Sequence, residues 1–247
     1  MNDRTAIQAD AIQAISQMID ESVDLIIADP PYSSGARQTA DIWRRNVMTR
    51  ADHWETEWFG TDNLSTAGFM FFIRGVFLSL FQKAKEGAHL YCFIDWRNYP
   101  LLIQTLESAG WRPLNLIVWD KTSFALGSDY RFQHELIALA SKGSPNPFNM
   151  KDVPNVIRVK RPRPGIHPTI KPIQLISTFV KMSSKEGDLV IDPFCGSGTT
   201  GEACAMLNRR FVGIDIDGKY VEMTKTRITS TEGQERLAIQ PREEIQP

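Results

Sequence analysis

Residues 188–217 read DLVIDPFCGSGTTGEACAMLNRRFVGIDID, and two chain rhythms alternate within them. DLVID (188–192) is a short apolar run closed by an acid. Gly196 and Gly198 follow, then TTGEACAMLN (199–208) reads as a helix and RFVGID (210–215) as a second strand ending in another acid. Strand, glycine turn, helix, strand is the repeating unit of a parallel α/β sheet. The glycines let the backbone turn tightly and approach a ligand with no side chain in the way. Asp215 ends the second strand, where a carboxylate can accept hydrogen bonds from both hydroxyls of a ribose. An ordinary strand–helix turn would read the same way.

The same rhythm extends outward in both directions. Strands are expected at TAIQA (5–9), VDLIIA (23–28), AHLYCFI (88–94), LNLIVWD (114–120) and HELIALAS (134–141). Helices are expected at 11–19, at 64–87 with Gly87 as the stop, at 99–110, at 172–184 and at 218–228. The expected fold is therefore α/β with a doubly wound, mostly parallel sheet, in one domain spanning 1–229, followed by a polar tail over 230–247. Two stretches break the rhythm, 33–63 and 142–170. Long irregular segments in a compact domain are usually functional or disordered, and both follow strand ends, where such sheets bind ligands.

VDLIIADPPYSSG (23–35) raises the second question, because its apolar run ends in Asp29, Pro30, Pro31 and Tyr32. Proline has no N–H and a fixed φ, so this strand end presents acceptors on a stiff loop. Both properties suit a site that presents acceptors rather than donors. A strand capped by a proline turn is the plainer alternative.

Composition bounds the rest. The chain has 247 residues, 42% of them hydrophobic, and a formal charge of −1. Net charge alone therefore points to no polyanionic partner. Cys92, Cys195 and Cys204 are odd in number and lack metal-type spacing, so neither a disulfide framework nor a metal site is expected. The N-terminus lacks an apolar signal region and no run reaches membrane-span length, so a cytoplasmic location is expected. Locally, 151–171 carries Lys151, Arg158, Lys160, Arg161, Arg163 and Lys171 against Asp152 alone. Such a cluster is the footprint expected for a phosphate backbone, or else a solvated loop.

A nucleotide loop would need GxxxxGK[ST], and no lysine follows these glycines. Gly201 is read as falling one position short of the dinucleotide pattern GxGxxG. S-adenosyl-L-methionine, which has an adenosine but no phosphate, fits better.

With these motifs in view, the chain resembles the beta group of DNA amino-methyltransferases, in which DPPY precedes FxGxG in a circularly permuted order. Asp29–Tyr32 precedes FCGSG (194–198), LIVWDK (116–121) matches a family strand end, and HPTIKP (167–172) matches HPTxKP. QAD (8–10) departs from the family's GD by Ala9, with Asp10 kept. The resemblance implies a Rossmann-like sheet of seven strands, in family order 3-2-1-4-5-7-6 with the seventh antiparallel. It implies methyl transfer from S-adenosyl-L-methionine to N6 of a flipped adenine in double-stranded DNA. Cytosine N4 as target, or a non-catalytic DNA-binding subunit that kept the fold, are the alternatives. The catalytic residues would be Asp29, Pro30, Pro31 and Tyr32. The cofactor would be held by Asp10, Asp29, Lys171, Asp192, Phe194, Cys195, Gly196, Ser197, Gly198, Thr199, Thr200 and Asp215. DNA would be bound by Arg158, Lys160, Arg161 and Arg163. Cys195 invites comparison with the covalent cysteine of C5-methylating enzymes, but no Pro-Cys pair occurs and a small filler beside the cofactor fits better. The resemblance also allows a homodimer and a companion restriction endonuclease.

Overall fold

The computed structural model describes residues 4–31, 65–124, 129–162 and 170–239, with side chains through 233. Its strands are β1 (Arg4–Gln8), β2 (Val23–Ala28), β3 (Ala84–Ile94), β4 (Arg112–Asp120), β5 (His134–Ser141), β6 (Val156–Arg158), β7 (Leu189–Asp192) and β8 (Arg210–Asp215). Its helices are α1 (Ala11–Ser16), α2 (Thr66–Lys83), α3 (Tyr99–Ser108), α4 (Ile173–Ser183), α5 (Thr199–Met206) and α6 (Gly218–Ile239).

One sheet runs β1-β8-β7-β2-β3-β5-β4-β6. Neighbours are parallel except where β5 lies antiparallel to both β3 and β4. The central strands are apolar on both faces, as burial between two helical layers requires. Along β2, Val23, Ile26 and Ala28 pack toward α1, α2 and α3. Leu25 and Ile27 pack toward α4, α5 and α6. Because β1, β8, β7, β2 and β3 are parallel, their carboxyl ends share one edge of the sheet. The carboxyl end of β4 and the amino end of β5 lie there too, since Asp120 pairs with His134.

The expected strand count is corrected from seven to eight. β6 adds to the outer edge of β4 in parallel, with Val118 N–H donating to Asn155 C=O at 2.7 Å and Val159 N–H to Asp120 C=O at 3.1 Å. The Trp119 indole N–H donates to Val159 C=O at 2.8 Å and clamps it further. Three residues suffice because they cover backbone groups that an edge strand would leave open.

Two boundaries also differ. α2 stops at Lys83, where Ala84 turns extended (φ −70°, ψ 140°) and β3 begins at once. Lys83 is held by Asp20 at 2.5 Å, so the helix end is tied to the turn before β2. Gly87, expected as the helix stop, lies inside β3 at φ +78°, where the register with β2 slips between Val23 and Leu25. α6 runs to Ile239 rather than giving way to a tail at Ser230, and Glu232 pairs with Arg4 of β1 at 2.8 Å.

Candidate active site

β7 delivers Asp192 to the carboxyl edge, and the turn that follows is built around it. Asp192 accepts from Phe194 N–H at 3.0 Å and from the Thr200 hydroxyl at 2.6 Å. It is buried, and that burial, opposed by its two hydrogen bonds and reinforced by the charges of Asp29 and Asp215, pushes its pKa up to about 7. The turn is pinned on its other side by Asp215 at the end of β8. One Asp215 oxygen accepts Gly196 N–H at 2.9 Å, the other Asp217 N–H at 2.9 Å. Ile216 N–H is a further backbone donor to this carboxylate, whose remaining acceptor capacity is open to a ligand donor. Partial burial raises the Asp215 pKa, its backbone hydrogen bonds opposing.

The two glycines have different reasons. Gly198 caps α5 at φ +83°, and a Cβ there would lie 2.6 Å from Thr224 Cα of α6. Gly196 sits at φ +47° with only Phe194 C=O, at 3.8 Å, near an added Cβ. Gly198 therefore serves packing, while Gly196 leaves an open face that a ligand can approach. Gly196, Gly198 and Gly201 do keep the GxGxxG spacing, so the expectation about Gly201 fails and spacing alone leaves a dinucleotide open. Gly201 is glycine for packing, with Phe211 and Ile228 atoms 2.9 Å from an added Cβ.

The remaining expected cofactor residues differ in their surroundings. Asp10, exposed beyond β1, caps α1 by accepting Gln13 N–H at 3.0 Å, and Ala9 N–H reaches Asp215 C=O beside it. Ser197 and Thr199 are buried and accept from Arg227 of α6, which also pairs with Glu202. Phe194 is half-buried against Phe72, with ring centroids 6.1 Å apart. Cys195 is buried beneath the turn, burial drives its pKa far upward, and Thr224 donates to its sulfur at 3.5 Å. That thiol stays protonated at neutral pH.

β2 delivers Asp29 next door. Leu25 pairs with Val190 and Ile26 with Ile191, so the ends of β2 and β7 are neighbours. Pro30 is buried and Pro31 half-buried. Tyr32 lies outside the described residues, as do 167–169 of the HPTIKP stretch. Lys171, expected at the cofactor, has its ammonium 2.5 Å from Asp29 Oδ2 and 3.3 Å from Glu135 Oε2. Glu135 in turn meets Lys121 at 2.7 Å. The Phe93 ring lies 4.9 Å from Lys171 Nζ. Burial by itself would lower the Lys171 pKa, but Asp29 and Glu135 outweigh it and the pKa is raised. Burial likewise opposes ionisation of Glu135, and Lys171 and Lys121 outweigh that to lower its pKa.

Sequence reasoning missed Glu135, Lys121 and Arg227. The only local signal was a glutamate and a lysine at strand ends on the ligand edge. Of the expected DNA contacts, Arg158, Lys160 and Arg161 are exposed on and just beyond β6, with Arg158 3.3 Å from Asp120. Arg163 lies outside the described residues. Among the described residues no His, Cys, Asp or Glu cluster could hold a metal ion, and no helix is long and apolar enough to cross a membrane.

An open glycine turn and an acid–proline strand end, side by side on a doubly wound sheet, define an α/β protein of the Rossmann-like group-transfer class. The family model described as DNA methylase matches residues 23–163 and 155–226, and the chain belongs to that family. Among curated relatives, the type II methyltransferase M.HpaI of Haemophilus parainfluenzae is 31% identical over 238 residues, which cover 92% of this chain and 75% of that one. The type II methyltransferase M2.DpnII of Streptococcus pneumoniae is 29% identical over 248 residues, covering 92% and 90%. Among solved structures, the M1.HpyAVI–SAM complex aligns with a TM-score of 0.69 at 22% identity, covering 91% of this chain and 98% of that one. The cytosine-N4-specific PvuII DNA methyltransferase aligns with a TM-score of 0.71 at 16% identity, covering 94% and 93%. These two likenesses establish the fold.

Proposed function

We propose that this DNA methyltransferase moves a methyl group from S-adenosyl-L-methionine to N6 of an adenine swung out of double-stranded DNA. The observation that carries the reading is the adjacency of β2 and β7, which sets Asp29 beside the Asp192–Gly198 turn. The open face of Gly196, the remaining acceptor capacity of Asp215 and the exposed Asp10 suit an adenosine with its ribose. When bound, the cofactor supplies an electrophilic sulfonium methyl.

The protein's own groups do the rest. The exocyclic amine is a poor nucleophile because its lone pair is delocalised into the ring. The Asp29 carboxylate and the Pro30 carbonyl accept its two N–H groups, which localises the lone pair and aims it. Tyr32 stacks on the base, a contact worth roughly 1–3 kcal/mol. A base within the duplex is out of reach, so it is extruded first. The nitrogen attacks as a neutral amine, the N–C bond forms as the methyl leaves sulfur, and the cationic product then sheds a proton. Lys171, whose pKa is raised, already carries its proton at neutral pH and is no acceptor. Asp29 or water takes it. Most of the acceleration comes from alignment and fixed electrostatics.

Arg158, Lys160 and Arg161 would meet the phosphate backbone. The permuted motif order, a homodimer and a companion endonuclease belong to this reading as expectations from the family. Cytosine N4 is the second reading, favoured by the likeness to the PvuII fold. Digesting DNA treated with enzyme and cofactor to nucleosides and weighing them decides. N6-methyladenine is expected, N4-methylcytosine would support the second reading, and cofactor binding without transfer to any DNA would indicate a non-catalytic subunit.

A further inference from the structure

We infer that Glu135 is a positioning residue for methyl transfer, holding the Lys171 ammonium against the Asp29 carboxylate from the start of β5. The inference rests on the reading of Asp29 as acceptor of the target amine. Charges alternate along a row: Lys121 at the end of β4, Glu135 on β5, Lys171 just before α4, and Asp29 after β2. Each Glu135 oxygen serves a different lysine, Oε1 at 2.7 Å from Lys121 and Oε2 at 3.3 Å from Lys171. Oε2 is buried, so its contact with Lys171 is shielded from water. Lys171 is itself buried, which favours loss of its proton, and the two carboxylates oppose that loss.

Among the described residues, the groups facing Lys171 include Asp29 after β2, Glu135 from β5 with Lys121 just past β4 behind it, and the Phe93 ring from β3. Take away the Glu135 charge and two lysines face each other across a neutral amide. Lys171 then loses one of its two described carboxylates and faces an unscreened like charge. It releases its proton more readily and its grip on Asp29 loosens. A carboxylate free to swing no longer localises the lone pair of the amine, and small misplacements at a reacting centre are costly. Glu135 acts through Lys171, at one remove from the reacting atoms.

Glu135→Gln keeps the shape and removes the charge. Single-turnover transfer to DNA, followed across pH, should fall about 10- to 100-fold at neutral pH. Its alkaline limb should move to lower pH, while cofactor affinity from calorimetry stays at the wild-type value. The Lys171→Met/Glu135→Gln double variant should be no slower than Lys171→Met, because coupled residues do not lose rate additively. Glu135→Asp, which retains the charge one methylene further back, should recover part of the loss. If Glu135→Gln fails to fold, Glu135→Asp carries the comparison, with a severalfold loss of rate at unchanged cofactor affinity. Wild-type rates, an unmoved alkaline limb or additive losses in the double variant would overturn the inference. Asp29→Ala, assayed alongside, separates the two claims: if it retains wild-type transfer, the reading of Asp29 fails instead.

Discussion

Asp192 and Asp215 end neighbouring strands, and the fold treats them differently. Asp192 is sealed beneath the turn and burial pushes its pKa up to about 7. An unfolded aspartate titrates near ~4. Below that, folded and unfolded chains both hold the proton. From there up to about 7 only the folded chain holds it, so stability falls as pH rises across the window. Asp192→Asn should flatten this dependence, seen as a urea midpoint that no longer declines across the window, and equal slopes for variant and wild type would contradict the assignment. Asp215 sits at the rim with each oxygen on a backbone N–H. Asp215→Ala should weaken cofactor binding and also cost about 1–3 kcal/mol of stability, because two N–H groups lose their acceptor. Calorimetry and thermal melts check both effects, and unchanged cofactor affinity would remove Asp215 from the ribose role.

At the scale of elements, the glycine turn allows a sharper comparison. Gly198→Ala places a Cβ 2.6 Å from Thr224 Cα on α6 at a left-handed backbone. It should destabilise by about 2 kcal/mol or more, through strain and overpacking together. Gly196→Ala meets open space and should cost only about 1–2 kcal/mol for its φ, yet weaken the cofactor more than its stability loss explains. Equal effects on binding and stability at both positions would mean the open face is not a ligand face. β2, β5 and β8 could be read from the sequence at their observed bounds, because each is an apolar run between polar residues. The α2–β3 junction could not, because the carbonyls of Gln82 and Lys83 at the helix end are met by the N–H groups of Glu21 and Ser22, contacts between segments far apart in the chain. β6 was hidden in a proline-rich basic stretch, since its three residues gain strand geometry only from β4. Asp29, the glycine turn and Asp215 were legible as motifs, while the attachment of Lys171 to Asp29 and Glu135 was not. No local spacing reports a chain of charges drawn from four segments.

Across the whole molecule, the near-zero net charge hides a division of labour. Carboxylates gather at the carboxyl edge of the sheet, and exposed cations follow β6 at one end of it. Replacing Lys160 and Arg161 with alanine should weaken DNA binding about equally for all sequences. It should also reduce the slope of log affinity against log salt by about 0.9 for each phosphate that is no longer neutralised. An unchanged slope would place the DNA on another face. The central claim is that the end of β2 and the turn after β7 act as one site with separable tasks, one holding the amine and the other the methyl donor. Single-turnover methyl transfer by Asp29→Ala, paired with its cofactor affinity, tests that claim most directly. Transfer should fall at least about 100-fold while cofactor affinity stays within about threefold of wild type. Loss of cofactor binding with Asp29, or transfer that survives without it, would contradict the account.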